Sequence, residues 1–198
     1  MTKIAKKYSK EADSINQSRT TNLTDNTVIM VLSETFSDPT RVPGVSFAED
    51  PMPNIRQIKS ETTSGLMLSP GYGGGTANIE YQALTGLSMA NYSDTLSIAY
   101  QQLVPGQKWD QSLNQLWNEK NGEDSSVAFH AYNRGMYFRD INYKKFGFSK
   151  FYATDGTPKL TDLHPIDSAW YSSDESFYSQ VLKQVQSSDS NKFYQVVT

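Results

Sequence analysis

The sequence predicts an α/β sandwich, a parallel or mixed sheet flanked by helices, and three observations point there. Val28 to Leu32 (VIMVL) is an unbroken apolar, β-branched run of the kind that forms a strand covered on both faces. Segments with helical spacing of apolar residues alternate with further short apolar runs, the pattern of an α/β chain. The final run, Phe193 to Val197, reads as a core strand ending one residue before the last position, Thr198.

Taken in order, residues 1–25 are polar and rich in Lys, Ser and Asn, and read as a linker or an N-terminal surface helix. No apolar stretch follows Lys3, Lys6 and Lys7, so a signal peptide is not expected there. Residues 26–198 read as one folded unit. After the first strand come Ser33-Glu34-Thr35, then a loop punctuated by Pro39, Pro43 and Pro51. Pro53 opens a short helix through Lys59, proline being well placed in a first helical turn. Gly65 to Leu68 reads as a short strand. The breaker cluster Ser69-Pro70-Gly71-Tyr72-Gly73-Gly74-Gly75 must then turn the chain. Thr76 reads as the N-cap of a helix with Ile79, Ala83, Leu84 and Leu87 at helical spacing. Gln111 to Lys120 is a second such helix, and Val127 to His130 a strand finishing on histidine. Ile141 to Phe146 is a helical or turn segment, and Glu175 to Val185 a helix with Phe177, Val181, Leu182 and Val185 apolar.

Composition excludes some classes of function. The 198 residues carry a net charge of −3, without the basic surplus of a nucleic-acid binder. There is no cysteine, hence no disulfide framework and no thiolate metal site. No apolar run approaches the roughly 18 residues that a membrane-spanning helix needs.

Three clusters have chemical potential. Ligands in open α/β sheets gather at the carboxyl ends of strands, where Glu34 falls; it is either an exposed loop carboxylate or a metal ligand or base. Three consecutive glycines before Thr76 allow close backbone approach to a ligand at a helix N-terminus, which favours phosphate. No lysine follows as in a phosphate-binding P-loop, and Thr76 replaces the third glycine of a dinucleotide fingerprint. Thr76 is therefore either a helix cap or an activated hydroxyl nucleophile in a phosphate cradle. Finally His130, Tyr137 and Arg139 follow one strand within ten residues. They are either ordinary packed and surface residues or an anion pocket, guanidinium being a bidentate partner for phosphate. His164, beside Pro165 in a polar loop, is not expected to take part.

These clusters, in this order, resemble the lipoteichoic acid synthase (phosphoglycerol transferase) family of the alkaline-phosphatase/sulfatase superfamily. VIMVLSETFSD is similar to the family's first strand, which ends in Glu, a hydroxyl residue and Phe. SPGYGGGTANIEYQALTGLS resembles the segment bearing the family's threonine nucleophile, and FHAYNRGMYFRDINYKKFGFSKFY a stretch with His at its head, an aromatic seven residues on and Arg nine on. The aromatic is commonly Trp, so Tyr137 departs from the pattern. A sulfatase proper would need a Cys/Ser-x-Pro-x-Arg motif, which is missing.

The resemblance implies the N-terminal portion of an extracellular, membrane-anchored catalytic domain with an alkaline-phosphatase/sulfatase-like fold. It implies that Thr76 attacks phosphatidylglycerol and passes glycerophosphate to a lipoteichoic acid-type polymer. His130, Tyr137 and Arg139 would contact glycerophosphate, and Glu34 and Thr76 would ligate a divalent metal, Mn²⁺ ahead of Mg²⁺. The family's remaining ligands, an Asp-His pair, lie downstream of Thr198, so the chain alone is expected to be inactive. Competing readings are a phosphodiesterase or phosphoethanolamine transferase of the same superfamily, the latter usually rich in cysteine, or a non-catalytic glycerophosphate-binding fragment.

Overall fold

The computed structural model describes every residue except Met1, Glu34, Pro70, Tyr72, Gly73 and Gly74. Glu34 and most of the glycine-rich turn therefore lie outside the described residues.

A four-stranded parallel sheet organises the chain. Strands β1 (Val28–Leu32), β2 (Ser126–His130), β3 (Lys150–Tyr152) and β4 (Phe193–Val197) are ordered β1-β4-β2-β3. Parallel neighbours need crossover connections, and helices supply them. These are α2 (Pro53–Glu61), α3 (Thr76–Thr85), α4 (Ala99–Gln102), α5 (Gln115–Asn121), α6 (Arg139–Lys145) and α7 (Asp174–Gln186), preceded by α1 (Lys3–Gln17). No helix is long and apolar enough to cross a membrane among the described residues.

Alternation along the strands divides the core between the two sheet faces. On one face Ala128 and Phe193 pack with Tyr81 and Leu84 of α3, Trp117 of α5 and Tyr143 of α6. Trp117 is fully buried, tilts against Phe193 at 5.2 Å between ring centroids, and its indole N–H donates to the Asn26 carbonyl at 2.9 Å. On the other face Val127, Phe129, Tyr194 and Val196 meet Phe177 and Val181 of α7. The two central strands, β2 and β4, are buried at every position, as expected where helices cover both faces.

The first strand is different from its sequence expectation. Among the described residues strand β1 pairs only with β4, and its residues alternate in burial. Val28 and Met30 pack on the α3–α5–α6 core, but Ile29 is 45% and Val31 48% exposed. An edge position, with α7 lying over β2 and β4 instead, leaves that second face open. An unbroken apolar run cannot distinguish these cases, because it reports what each residue tolerates and not what covers it.

Other expectations shift for identifiable reasons. Residues 65–68 form no strand: Leu66, Met67 and Leu68 are 79%, 88% and 93% exposed, with no partner strand beside them among the described residues. Strand β3 has no counterpart in the sequence pattern, because a strand of three residues is too short to show one. Helix α3 buries Thr76, Ala77, Glu80, Tyr81 and Leu84, while Ala83 is exposed and Leu87 lies beyond the end of the helix. The helix thus sits rotated from the apolar stripe, and it ends at Gly86, whose φ of 71° suits a left-handed C-cap. Thr76 is not the N-cap. Gly75 holds that position, and Thr76 is the first helical residue. Helix α1 buries none of its residues.

Candidate active site

The carboxyl ends of β2 and β4 open into a cavity of about 570 Å³, the location expected for a ligand site on a parallel sheet. Thr76, His130, Tyr137 and Arg139 all line it, together with Thr35, Tyr132, Asp174 and Thr198. Four residues spread over 64 positions of sequence are brought together because α3, β2 and α6 all present their ends to the same side of the sheet. His164 is not among the lining residues.

His130 closes β2 beside Val197 of β4, in register with it. Its Nδ1 lies 3.2 Å from the Val197 carbonyl oxygen and its Nε2 lies 3.0 Å from Arg139 Nη1. A guanidinium only donates, so Nε2 must accept. The imidazole proton then sits on Nδ1 and is donated to Val197. The ring is held neutral: burial first, and the Arg139 charge second, pull its pKa down to about 4, against the opposing effect of the Val197 carbonyl. With both nitrogens engaged, His130 orients groups rather than accepting a proton from solvent-side chemistry.

Arg139 opens α6 and is almost wholly buried, as is its partner Glu80 on α3. Arg139 Nε donates to both Glu80 oxygens, at 3.1 and 3.2 Å, and Nη2 makes a further short hydrogen bond to Oε1. Tyr143, one turn along α6 from Arg139, donates its hydroxyl to Glu80 Oε2 at 2.7 Å. Burial opposes the charge on Arg139, but the Glu80 carboxylate outweighs it and raises its pKa. Burial, with the Glu80 charge behind it, also pushes the Tyr143 hydroxyl well above the usual phenol range, so that it stays a donor. Glu80 was not singled out from sequence. In TANIEYQAL it stands four residues from Thr76 on the same helix face, a spacing that an exposed polar face shows equally well.

The link from β2 to α6 is strained. Tyr137 and Phe138 both adopt left-handed backbone, with φ of 56° and 57°, uncommon for aromatic residues. The turn places the Tyr137 ring against the Arg139 guanidinium, 5.3 Å from centroid to Cζ, a cation–π arrangement. Asn142, fully buried, fastens it by donating to the Tyr137 and Tyr100 carbonyls at 2.9 and 2.8 Å.

The structure also bears on whether a divalent ion fits. Among the described residues no three His, Asp or Glu side chains cluster as a metal site would require. Thr76 and Asp174 are among the cavity's lining residues, and both His130 nitrogens are occupied. Hard cations need six or so oxygen or nitrogen ligands, waters included, so the described residues do not form a complete site.

Comparison with known proteins matches this arrangement to a family. Residues 26–198 match the Sulfatase family model. A putative cyclic beta-1,2-glucan modification protein of Rhizobium meliloti (strain 1021) is 34% identical over 172 residues, 86% of this chain and 25% of that protein. The solved structure of Streptococcus pyogenes phosphoglycerol transferase GacH in complex with sn-glycerol-1-phosphate superposes with a TM-score of 0.85 and 36% identity, over 98% of this chain and 50% of that one. A structure of the lipoteichoic acid synthase LtaP from Listeria monocytogenes is more distant, at 21% identity and a TM-score of 0.49 over 63% of this chain, too low to bear on function. The chain thus spans half the length of the GacH chain in that structure and a quarter of the R. meliloti protein. By the match over residues 26–198, which takes in both the sheet and the cavity at its carboxyl edge, the chain belongs to the sulfatase family.

Proposed function

We propose that this chain forms the glycerophosphate-binding half of a phosphoglycerol transferase site. The observation that carries this reading is the convergence of Thr76, His130, Tyr137 and Arg139 on one cavity at the carboxyl edge of the sheet. The similarity to a phosphoglycerol transferase in complex with sn-glycerol-1-phosphate supports it.

In this reading the donor is phosphatidylglycerol. The Thr76 oxygen attacks phosphorus, the bond from phosphorus to the diacylglycerol oxygen breaks, and the proton lost by Thr76 ends on diacylglycerol. An acceptor hydroxyl then attacks the glycerophospho-threonine and returns Thr76 to its starting state. The position of Thr76 at the first turn of α3 supports the assignment, because backbone N–H groups there favour a transferring phosphoryl group. Arg139 serves two ends. Glu80 and His130 fix its plane, and the weak 3.4 Å contact from Nη1 to the Met136 carbonyl is the one a phosphate oxygen would replace. The Tyr137 ring covers the guanidinium and would border the glycerol.

A divalent ion, Mn²⁺ ahead of Mg²⁺, belongs to the proposal. Glu34 and Thr76 would contribute to its site, with the other ligands coming from outside the described residues. The 198-residue chain is accordingly expected to bind glycerophosphate without turning it over. The proposal puts the site at the outer face of the cell membrane, within reach of its lipid donor. The acceptor is a hydroxyl-bearing polymer, of lipoteichoic acid type or, following the name of the R. meliloti relative, a glucan.

The test is titration of the chain with sn-glycerol-1-phosphate, followed by calorimetry or by NMR of the His130 ring. Saturable binding, weakened by Tyr137→Ala and by His130→Gln, is the expected result. No binding, or equal binding by both variants, would remove the support for this cavity as the donor site.

A further inference from the structure

Beside the glycerophosphate cavity lies a second hollow of about 480 Å³, and the two share Ala131, Tyr132, Tyr171 and Ser172. Its remaining lining comes from Thr154 and Trp170. Three aromatic side chains around this hollow are turned to solvent: Trp170 is 98% exposed, Tyr171 73% and Tyr132 48%. Single exposed apolar residues are ordinary, but three large aromatics on one rim mark a surface that expects a partner.

The rim is built, not loose. An antiparallel bridge joins Pro165 to Ser172, the Ser173 N–H donates to the His164 carbonyl at 2.8 Å, and the Ala169 N–H to Ile166 at 2.9 Å. The Thr154 N–H donates to the Tyr132 carbonyl at 3.1 Å, which ties the other side of the hollow to the segment that follows β3. Tyr132 meets His130 edge-on at 6.3 Å between centroids, so the rim adjoins a buried group of the cavity.

The lining chemistry selects the ligand class. None of the six lining side chains is charged, which disfavours an anion, a nucleic acid or a basic peptide. Flat aromatic faces combined with hydroxyls from Thr154, Ser172 and the tyrosines suit a neutral ligand that is apolar on its ring faces and polar at its edges. Pyranose sugars have that character: axial C–H groups stack on aromatic rings while equatorial hydroxyls take hydrogen bonds.

We infer that Tyr132, Trp170 and Tyr171 form a subsite for a neutral saccharide acceptor, delivering one of its hydroxyls toward Thr76 in the adjoining cavity. The inference rests on the transferase reading above and assigns residues of this chain to its acceptor side.

The experiment titrates the chain separately with a β-linked glucose oligosaccharide and with sn-glycerol-1-phosphate, in wild type, Trp170→Ala and Trp170→Phe. Oligosaccharide binding, read by calorimetry in every variant and by tryptophan quenching in wild type alone, should weaken about tenfold or more in Trp170→Ala and largely return in Trp170→Phe. Binding of sn-glycerol-1-phosphate should be unchanged in both variants. Absence of oligosaccharide binding, or equal binding by Trp170→Ala, overturns the subsite even if sn-glycerol-1-phosphate still binds. Loss of both ligands together in Trp170→Ala overturns it as well, since the rim would then be part of the donor cavity. Oligosaccharide binding that depends on Trp170, in a chain that ignores sn-glycerol-1-phosphate, supports the subsite and counts against the donor reading alone.

Discussion

Glu80 and Arg139 form an ion pair in the interior, with side chains 0% and 1% exposed, that joins the helix of Thr76 to the helix reached from His130. Thr76 and Glu80 stand four residues apart on one face of α3, and Arg139 holds the imidazole of His130 from the other side. The pair thereby sets the register between the proposed nucleophile and the proposed phosphate contacts. Two charges in such a place cost much desolvation, which the hydrogen bonds among Arg139, Glu80, Tyr143 and His130 offset. Removing one partner leaves the other charge stranded. Glu80→Ala should therefore destabilise the chain by about 3–5 kcal/mol, and Glu80→Gln by less, as read from urea denaturation. A loss below about 1 kcal/mol in Glu80→Ala would mean that water or another group readily replaces the carboxylate.

Tyr143 supplies the carboxylate's other hydrogen bond. Tyr143→Phe keeps the ring among its aromatic neighbours, Phe148 at 5.0 Å and Phe151 at 4.7 Å, and deletes only the donor. It should cost about 1.5–3 kcal/mol, the range for a hydrogen bond to a charged group. In the double variant with Glu80→Gln the two losses should fall short of additive, because both remove the same contact.

His130 makes stability depend on pH in a defined direction. Its folded-state pKa of about 4 lies below the ordinary histidine value of 6.5, so the unfolded chain binds more protons between those limits. The contribution is present in full above pH 6.5 and is lost as pH falls through about 4. Denaturation midpoints of wild type should drop faster than those of His130→Gln between pH 7 and 4.5. Parallel curves would show that the ring is protonated as easily in the folded chain as in the unfolded one.

The left-handed turn before α6 can be probed with matched glycines. Phe138 and Ile141 are 43% and 42% exposed, so each loses a similar amount of apolar contact on truncation. Phe138 has a φ of 57°, which glycine adopts without penalty, whereas Ile141 lies inside α6. Ile141→Gly should cost about 1 kcal/mol more than Phe138→Gly. Equal losses would argue that the turn stores no strain.

Much of the scaffold was legible because its signals are local. Phe193 to Val197 and Val127 to His130 are apolar runs in the middle of the sheet, and burial from both faces is what such runs support. The first strand carries the same signal at an edge, where neighbours decide its exposure. The site was legible only in part. Thr76, His130, Tyr137 and Arg139 could be singled out as a hydroxyl after glycines and a His–aromatic–Arg series. Glu80 could not, because a glutamate among apolar residues in a helix reads as the polar face until a buried arginine 59 residues away is seen to meet it. The aromatic rim at Trp170 and Tyr171 was hidden similarly, since aromatic residues are read as core by default and only the structure places these two in solvent.

The central claim, that Thr76 receives the glycerophosphoryl group, is tested most directly by intact-protein and peptide mass spectrometry. The complete catalytic domain carrying this chain would be incubated with phosphatidylglycerol and Mn²⁺, alongside its Thr76→Ala variant. A glycerophosphoryl adduct confined to the peptide containing Thr76, absent from Thr76→Ala, with that variant folded and at most about 1–2 kcal/mol less stable, is the predicted result. An adduct on any other residue, or release of diacylglycerol by Thr76→Ala at the wild-type rate, would contradict it.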